Sequence, residues 1–276
     1  MRPRSRGTGA VAAAAAASEP REGEHLTTAS SDLLERARAR SWYHTLELEP
    51  GVWTEGWFDL RPVVSDYGLP DDLRGVRALE VGTWDGFWAF ELERRGAEVV
   101  AIDLDDERDL DWPPRYRPPS FPDEPRGEGF RLAKEIRGSS VERVERSIYE
   151  AVPADLGTFD LVFCGSVLIH LRDQMLALQR IADLCTGIFI SAEIYDRLTS
   201  LLPVPLARFR AHRNKVEFWR PNVKAWRRML WAAGFDRVEE RGRFTMRARD
   251  VAVRHVVFHA QKHGEGEARP PRARGR

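Results

Sequence analysis

A short apolar run, Ala78-Leu79-Glu80-Val81, breaks into Gly82-Thr83-Trp84-Asp85-Gly86. In the segment that follows, Phe87, Phe90 and Leu92 are apolar while Glu91, Glu93, Arg94 and Arg95 are polar, and it closes at Gly96. A continuous apolar run, Val99 to Ile102, then ends on Asp103. These periods predict strand, glycine turn, helix and strand, half of a nucleotide-binding α/β unit. Glycine lets the backbone turn sharply and approach a ligand where a Cβ would collide. Asp103 lies 21 residues beyond Gly82, near the roughly 20-residue offset at which an acid reaches a ribose hydroxyl.

The same periods extend along the chain. A helix is expected from Leu33 to about Arg40, with Ser31-Asp32 as its N-cap. An aromatic stretch follows, with Trp42, Tyr43, Trp53, Trp57 and Phe58, too apolar to be left in water. It either pins an N-terminal arm onto the domain or lids a ligand pocket. The segment 107–129, rich in Pro, Arg and Asp, reads as a surface insertion near the sheet's C-terminal edge. Beyond it the pattern predicts a helix over 129–137 and a half-exposed strand over 141–146. A buried strand is expected over 159–165, a helix over 173–183 and a strand over 187–193. A helix over 222–233 and strands over 235–239 and 255–261 complete the pattern. Strands alternating with helices of this length make an α/β, doubly wound sheet with ligands outside the strands' carboxyl ends. The expected organisation is a leader over 1–30, a helix and aromatic arm over 31–75, a domain over 76–262 and a basic tail over 263–276.

Composition narrows this picture only modestly. The 276 residues are 42% hydrophobic, enough for a full core, and 43 basic residues balance 43 acidic ones. Net charge therefore does not single out a nucleic-acid partner; only local clusters can. Cys164 and Cys185 sit in apolar runs without metal or CxxC spacing, and His259 and His263 show none either. No metal site is expected, and a reducing cytoplasm fits best. No run approaches the roughly 18 apolar residues of a membrane span. The start, MRPRSRGTGAVAAAAAASEP, has signal-like features, yet alanine makes a poor hydrophobic region. A disordered leader or an over-long start is the preferred expectation.

Glu80-x-Gly82-x-Trp84-x-Gly86 resembles motif I of class I S-adenosylmethionine (SAM) methyltransferases, an acid followed by three alternate glycines, with Trp84 at the middle one. The resemblance implies a Rossmann-like sheet and SAM as cofactor. Four stretches narrow it: WYHTLELEPGVWTEGWFDLRP, LEVGTWDGFWAFELERRGAEVVAID, FCGSVLIHL and RNKVEFWRPNVKAWRRMLWAAGFDRVE. Together they resemble the methyltransferase family of tRNA wobble-uridine modification, which includes enzymes that transfer carboxymethyl from carboxy-SAM. Carried over by position, the resemblance implies Trp57, Arg61, Gly82, Asp103, Ile148 and Gly165 around the cofactor, with Glu80, Trp84 and Gly86 in the motif. Ile148 or Tyr149, after the third strand, is the candidate adenine contact. The carboxy-SAM enzymes grip the extra carboxylate with a lysine of the arm, a tyrosine before the histidine of the fourth-strand motif and an arginine opening the last strand. Here Tyr43-His44 and Ile169 replace the first two, and Arg254 alone matches. Charge-assisted bonds contribute about 1.5–3 kcal/mol each, so plain SAM is the expected donor.

Methyl transfer from a sulfonium needs orientation and, for an oxygen nucleophile, a proton acceptor. His170, in the turn after the fourth strand, is the candidate base, against a structural role capping that turn. Glu193 and Tyr195, after the fifth strand, are further candidates facing the cleft. A second cluster holds Arg208, Arg210, Arg213, Lys215, Arg220, Lys224, Arg227 and Arg228 against Glu217, interleaved with Phe209, Phe218, Trp219 and Trp226. It suits a phosphate backbone and a splayed base, a small anionic substrate, or simply a solvated helix face. The expected function is methyl transfer to a small-molecule acceptor, at oxygen, with Tyr195, Arg213, Trp219 and Arg254 as candidate contacts. A tRNA wobble-uridine acceptor and a catalytically degenerate scaffold are the alternatives.

Overall fold

The structure is a computed structural model that describes residues 28–211, 216–248 and 251–262. Nearly all of the expected leader, the whole expected tail, and Arg213 and Lys215 lie outside the described residues. Helix α1 (Thr28–Ala39) leads into four short strands, β1 (Trp42–His44), β2 (Glu47–Glu49), β3 (Val52–Trp53) and β4 (Gly56–Phe58). The helix already includes Thr28, the first described residue, so the expected Ser31-Asp32 cap lies within it. Propensity differences of tenths of a kcal/mol are easily outweighed once Leu34 and Ala37 are buried against the core.

The main unit runs β5 (Arg77–Val81), α2 (Phe87–Arg94), β6 (Glu98–Asp103), α3 (Glu128–Arg137), β7 (Glu142–Glu145), α4 (Pro153–Leu156), β8 (Phe159–Gly165), α5 (Gln174–Leu184) and β9 (Cys185–Ile194). After β10 (Ala207–Phe209) and β11 (Trp219–Pro221) come α6 (Val223–Ala232), β12 (Arg237–Arg247) and β13 (Ala252–Gln261). Seven strands form one sheet in the order β12-β13-β9-β8-β5-β6-β7. β13 is antiparallel to both of its neighbours, and the pairs from β9 to β7 are parallel.

Strand periodicity sends alternate residues into two cores. Ala78, Leu161 and Phe163 pack with α1, α2, α3 and the arm, while Leu79, Val162 and Cys164 pack with α5 and α6. Strand order reverses between β5 and β8, the topological switch point where such sheets bind ligands. The register brings Val81 opposite both Ile102 and Cys164. Gly82, Asp103 and Gly165 therefore stand level along one edge. No helix of the described residues is long and apolar enough to cross a membrane.

Candidate active site

The carboxyl ends of β5, β6, β7 and β8 open onto a cavity of about 560 Å³, within the roughly 300–1,000 Å³ of small-molecule sites. Gly82, Trp84, Asp103, Ile148, Tyr149, Gly165 and His170 all line it. Gly82 has φ +80°, and a Cβ there would lie 2.4 Å from Val167 Cγ2. Trp84 takes φ +50°, the left-handed backbone that glycine favours, which accounts for the glycine usual at its place in the motif. Its amide donates to Asp103 Oδ2 at 2.8 Å, and Leu104 N donates to Oδ1 at 2.8 Å. Two backbone donors thus hold the Asp103 carboxylate at the cavity wall, with lone pairs left for vicinal hydroxyls. Ile148 is 5% exposed and offers an apolar surface to a purine. A carboxylate at β6, an apolar residue after β7 and a glycine turn after β5 fit an adenosine donor.

Other expected contacts lie elsewhere. Glu80 is buried beneath the turn, and Gly86 (φ +96°) is a packing glycine whose Cβ would meet Phe90 and Phe130. Trp57 is 49% exposed, because β4 turns Phe58 inward instead. Arg61 pairs with Asp59 at 2.6 Å and covers the Trp53 ring. Tyr195 sits under the Arg243 guanidinium, and Trp219 stacks on Phe209 and donates to the Arg172 carbonyl. Arg254 is exposed between Val253, which lines the cavity, and His255, which reaches Ser166; strand alternation points it the other way.

The arm closes the cavity through residues that the sequence did not single out as contacts. Asp85, 2% exposed, accepts from Tyr43 N at 3.0 Å and His44 N at 2.8 Å, and pairs with His44 Nδ1 at 2.5 Å. Tyr43 stacks on Trp84 at 4.5 Å, and the Arg126 guanidinium lies over the same indole at 3.9 Å. Burial, and secondarily the Asp85 charge, push the Tyr43 phenol up to about 12. The segment 107–129 is not merely a surface insertion, since Glu107, Asp109, Leu110, Asp111, Trp112 and Arg126 line the cavity. Asp111 pins it by accepting from Tyr149 Oη at 2.5 Å and Arg172 N at 2.7 Å.

At the other end stand His170, Glu217, Arg220 and Ser166. The His170 ring opens to the cavity but is ringed by protein. Burial lowers its pKa, opposed by its bond to the Val216 carbonyl and by Glu217. Since that carbonyl can only accept, His170 carries its proton on Nδ1, and in the neutral ring Nε2 is the acceptor. Part of the basic cluster is ion-paired. Arg208 pairs with Asp196 at 2.7 Å, while Arg210 (3.5 Å) and Arg220 (2.6 Å) both pair with Glu217.

A model of the methyltransferase domain matches residues 24–240. Magnesium-protoporphyrin O-methyltransferase of Rhodobacter capsulatus is 34% identical over 104 residues, which is 38% of this chain and 38% of that relative. The match thus spans under half of the relative's length. Among solved structures, the N-terminal domain of EvdMO1 in the presence of S-adenosylhomocysteine (SAH) and D-fucose has a TM-score of 0.61 and 19% identity. That likeness covers 88% of this chain and 100% of that one. The same domain with SAH bound gives 0.57 at 18% identity, again over 88% and 100%. At such identities the likeness concerns the fold. The family match covers most of the chain and its motif forms the floor of a donor-sized cavity: the protein belongs to the methyltransferase-domain family, whose methyl donor is SAM.

Proposed function

We propose that this methyltransferase acts on an oxygen of a small-molecule acceptor. The observation that carries the reading is the compact cavity, walled by the arm and the segment 107–129 and running from Asp103 to His170, Glu217 and Arg220. SAM supplies an electrophilic methyl group when bound. Asp103 orients the ribose, Ile148 and Tyr149 flank the base, and the aromatic arm walls the donor from one side. Neutral His170, through Nε2, accepts the proton of an acceptor hydroxyl, a contribution of typically 10²–10⁴-fold. Glu217 and Arg220 offer an acceptor and donors to further polar groups of the acceptor. A curated relative that methylates oxygen and a structural neighbour obtained with a sugar are consistent with a compact oxygen acceptor.

A tRNA acceptor is the second reading, and the exposed face of α6 with Lys224, Arg228 and Trp231 favours it. Labelled methyl from SAM should be transferred to members of a panel of sugars, phenols and porphyrins and not to bulk tRNA. With the best acceptor, His170→Asn should lower kcat by about 10²–10⁴-fold with little change in KM. Transfer to tRNA with a steep negative salt dependence of binding, shallower in Lys224→Ala and Arg228→Ala, would replace the small-acceptor reading.

A further inference from the structure

Between β9 and β10 the chain runs through Leu201-Leu202-Pro203-Val204-Pro205-Leu206, and every residue over 201–209 is exposed. Leu201 is 83% exposed, Leu198 70% and Phe209 58%. Single apolar residues on a surface are ordinary, whereas a run of them in one segment marks a site of interaction. The exposure is built into the fold. Asn222, fully buried, donates through Nδ2 to the carbonyls of Thr199 (3.0 Å) and Val204 (2.9 Å) and accepts at Oδ1 from Leu206 N (3.2 Å). Ser200 Oγ accepts from Val223 N at 3.3 Å and donates to the Asp196 carbonyl at 2.6 Å. The segment's polar backbone is thus satisfied inward, against the start of α6, and its leucines are left to solvent.

Charge decides what covers this segment. Over 196–231 the sequence carries nine Lys and Arg against two acids, Asp196 and Glu217. Both acids are buried in ion pairs, Asp196 with Arg208 and Glu217 with Arg210 and Arg220. Arg197, Lys224 and Arg228 are exposed. Pro203 and Pro205 share a groove with Lys224, Arg227, Arg228 and Trp231, and Asp236 is the acid among its lining residues. The apolar segment and the basic face of α6 are therefore neighbours on one surface. Two such positive faces repel each other, which argues against a second copy of the chain. Aliphatic side chains do not stack on bases, which argues against RNA. Leucines beside cations suit an anionic bilayer, where the leucines enter the headgroup boundary and the cations meet phosphates. β11 pairs with β10 and carries Arg220 to the cavity wall, so this surface adjoins the acceptor end of the site.

We propose that the segment 198–209 and the outer face of α6 form a docking surface for a bilayer with anionic headgroups, on which the protein lies without spanning it. Flotation of the full chain with lipid vesicles tests this. The protein should rise with vesicles of phosphatidylcholine and phosphatidylglycerol, stay behind with phosphatidylcholine alone, and bind less as salt is added. Leu198→Ser combined with Leu201→Ser removes two side chains that lie mostly in solvent, so Tm should hold while vesicle binding falls about tenfold or more. Lys224→Ala with Arg228→Ala should weaken binding about fivefold for each cation removed. No flotation with the anionic vesicles at low salt, or flotation indifferent to the two serines, would overturn the proposal. A dimer in sedimentation that the two serines dissociate would overturn it too, making the face a contact between copies. Salt-steep binding of bulk tRNA that needs Lys224 and Arg228 but neither leucine, without flotation, would assign the face to RNA instead.

Discussion

Glu80 and Glu193 are carboxylic acids buried to within 2% of full enclosure, one beneath the glycine turn and the other beneath the turn after β8. Burial pushes both up to about 8, although backbone amides partly stabilise the Glu193 anion. Each leaves one carboxyl oxygen buried without a hydrogen-bond partner, a cost that is smaller for the neutral acid. In the unfolded chain these groups ionise near the ordinary carboxylate value, while the folded protein keeps them protonated to about 8. Folding then binds protons across that window. Their stabilising protonated state is complete below the unfolded pKa and is lost as pH rises through the folded one. Thermal melts of the ligand-free protein should therefore fall between about pH 5 and about pH 8. Glu193→Gln, which imitates the neutral acid, should flatten part of that slope; an unchanged slope would mean that Glu193 is ionised in the fold.

At the scale of elements, the arm is held by one carboxylate. Asp85 takes two backbone amides and the imidazole of β1, so the helix-opening turn and the arm are locked together. Asp85→Ala orphans three groups at about 1–3 kcal/mol for each that stays buried. Hydrogen exchange at the Tyr43 and His44 amides should accelerate strongly, while β5 and β8 keep their protection. Unchanged exchange at those two amides would show that aromatic stacking alone holds the arm.

The sheet was largely legible because buried parallel strands such as Leu161-Val162-Phe163-Cys164 read as continuous apolar runs. β12 was placed too early and too short. Its residues Arg237-Val238-Glu239-Glu240-Arg241 form a charged edge strand that hydrophobicity does not mark. Of the residues lining the cavity, Gly82 and Asp103 were singled out by local spacing and Ile148 by the family resemblance. Phe58, Tyr43, Arg126 and the Ser166–His255 pair come together only through tertiary contacts, and Arg126 had no signal within a proline-rich stretch. The aromatic arm was read as either an anchor or a lid, and the inward phase of a three-residue strand such as Gly56-Trp57-Phe58 is too short to read from sequence.

For the whole molecule, the cavity bears on which donor is used. Ile169 lines it where the carboxy-SAM enzymes carry a tyrosine, and exposed Arg254 alternates away from it. Mass spectrometry of nucleosides carried through purification should therefore find SAM or SAH. Carboxy-SAM as the main species would require a carboxylate grip built from other residues, with Tyr43 and His44 the nearest candidates. The described members of the basic cluster, so suggestive along the chain, are divided by folding between ion pairs with Asp196 and Glu217 and the outer face of α6.

The most direct measurement is a calorimetric titration of SAM and SAH into the parent protein and into Asp103→Ala. The parent should bind both with one site per chain. Loss of the carboxylate held by Trp84 and Leu104 should weaken both by about 1.5–3 kcal/mol, roughly ten- to hundredfold. No binding of either ligand to the parent at millimolar concentration would contradict the methyl-donor site on which the whole account stands.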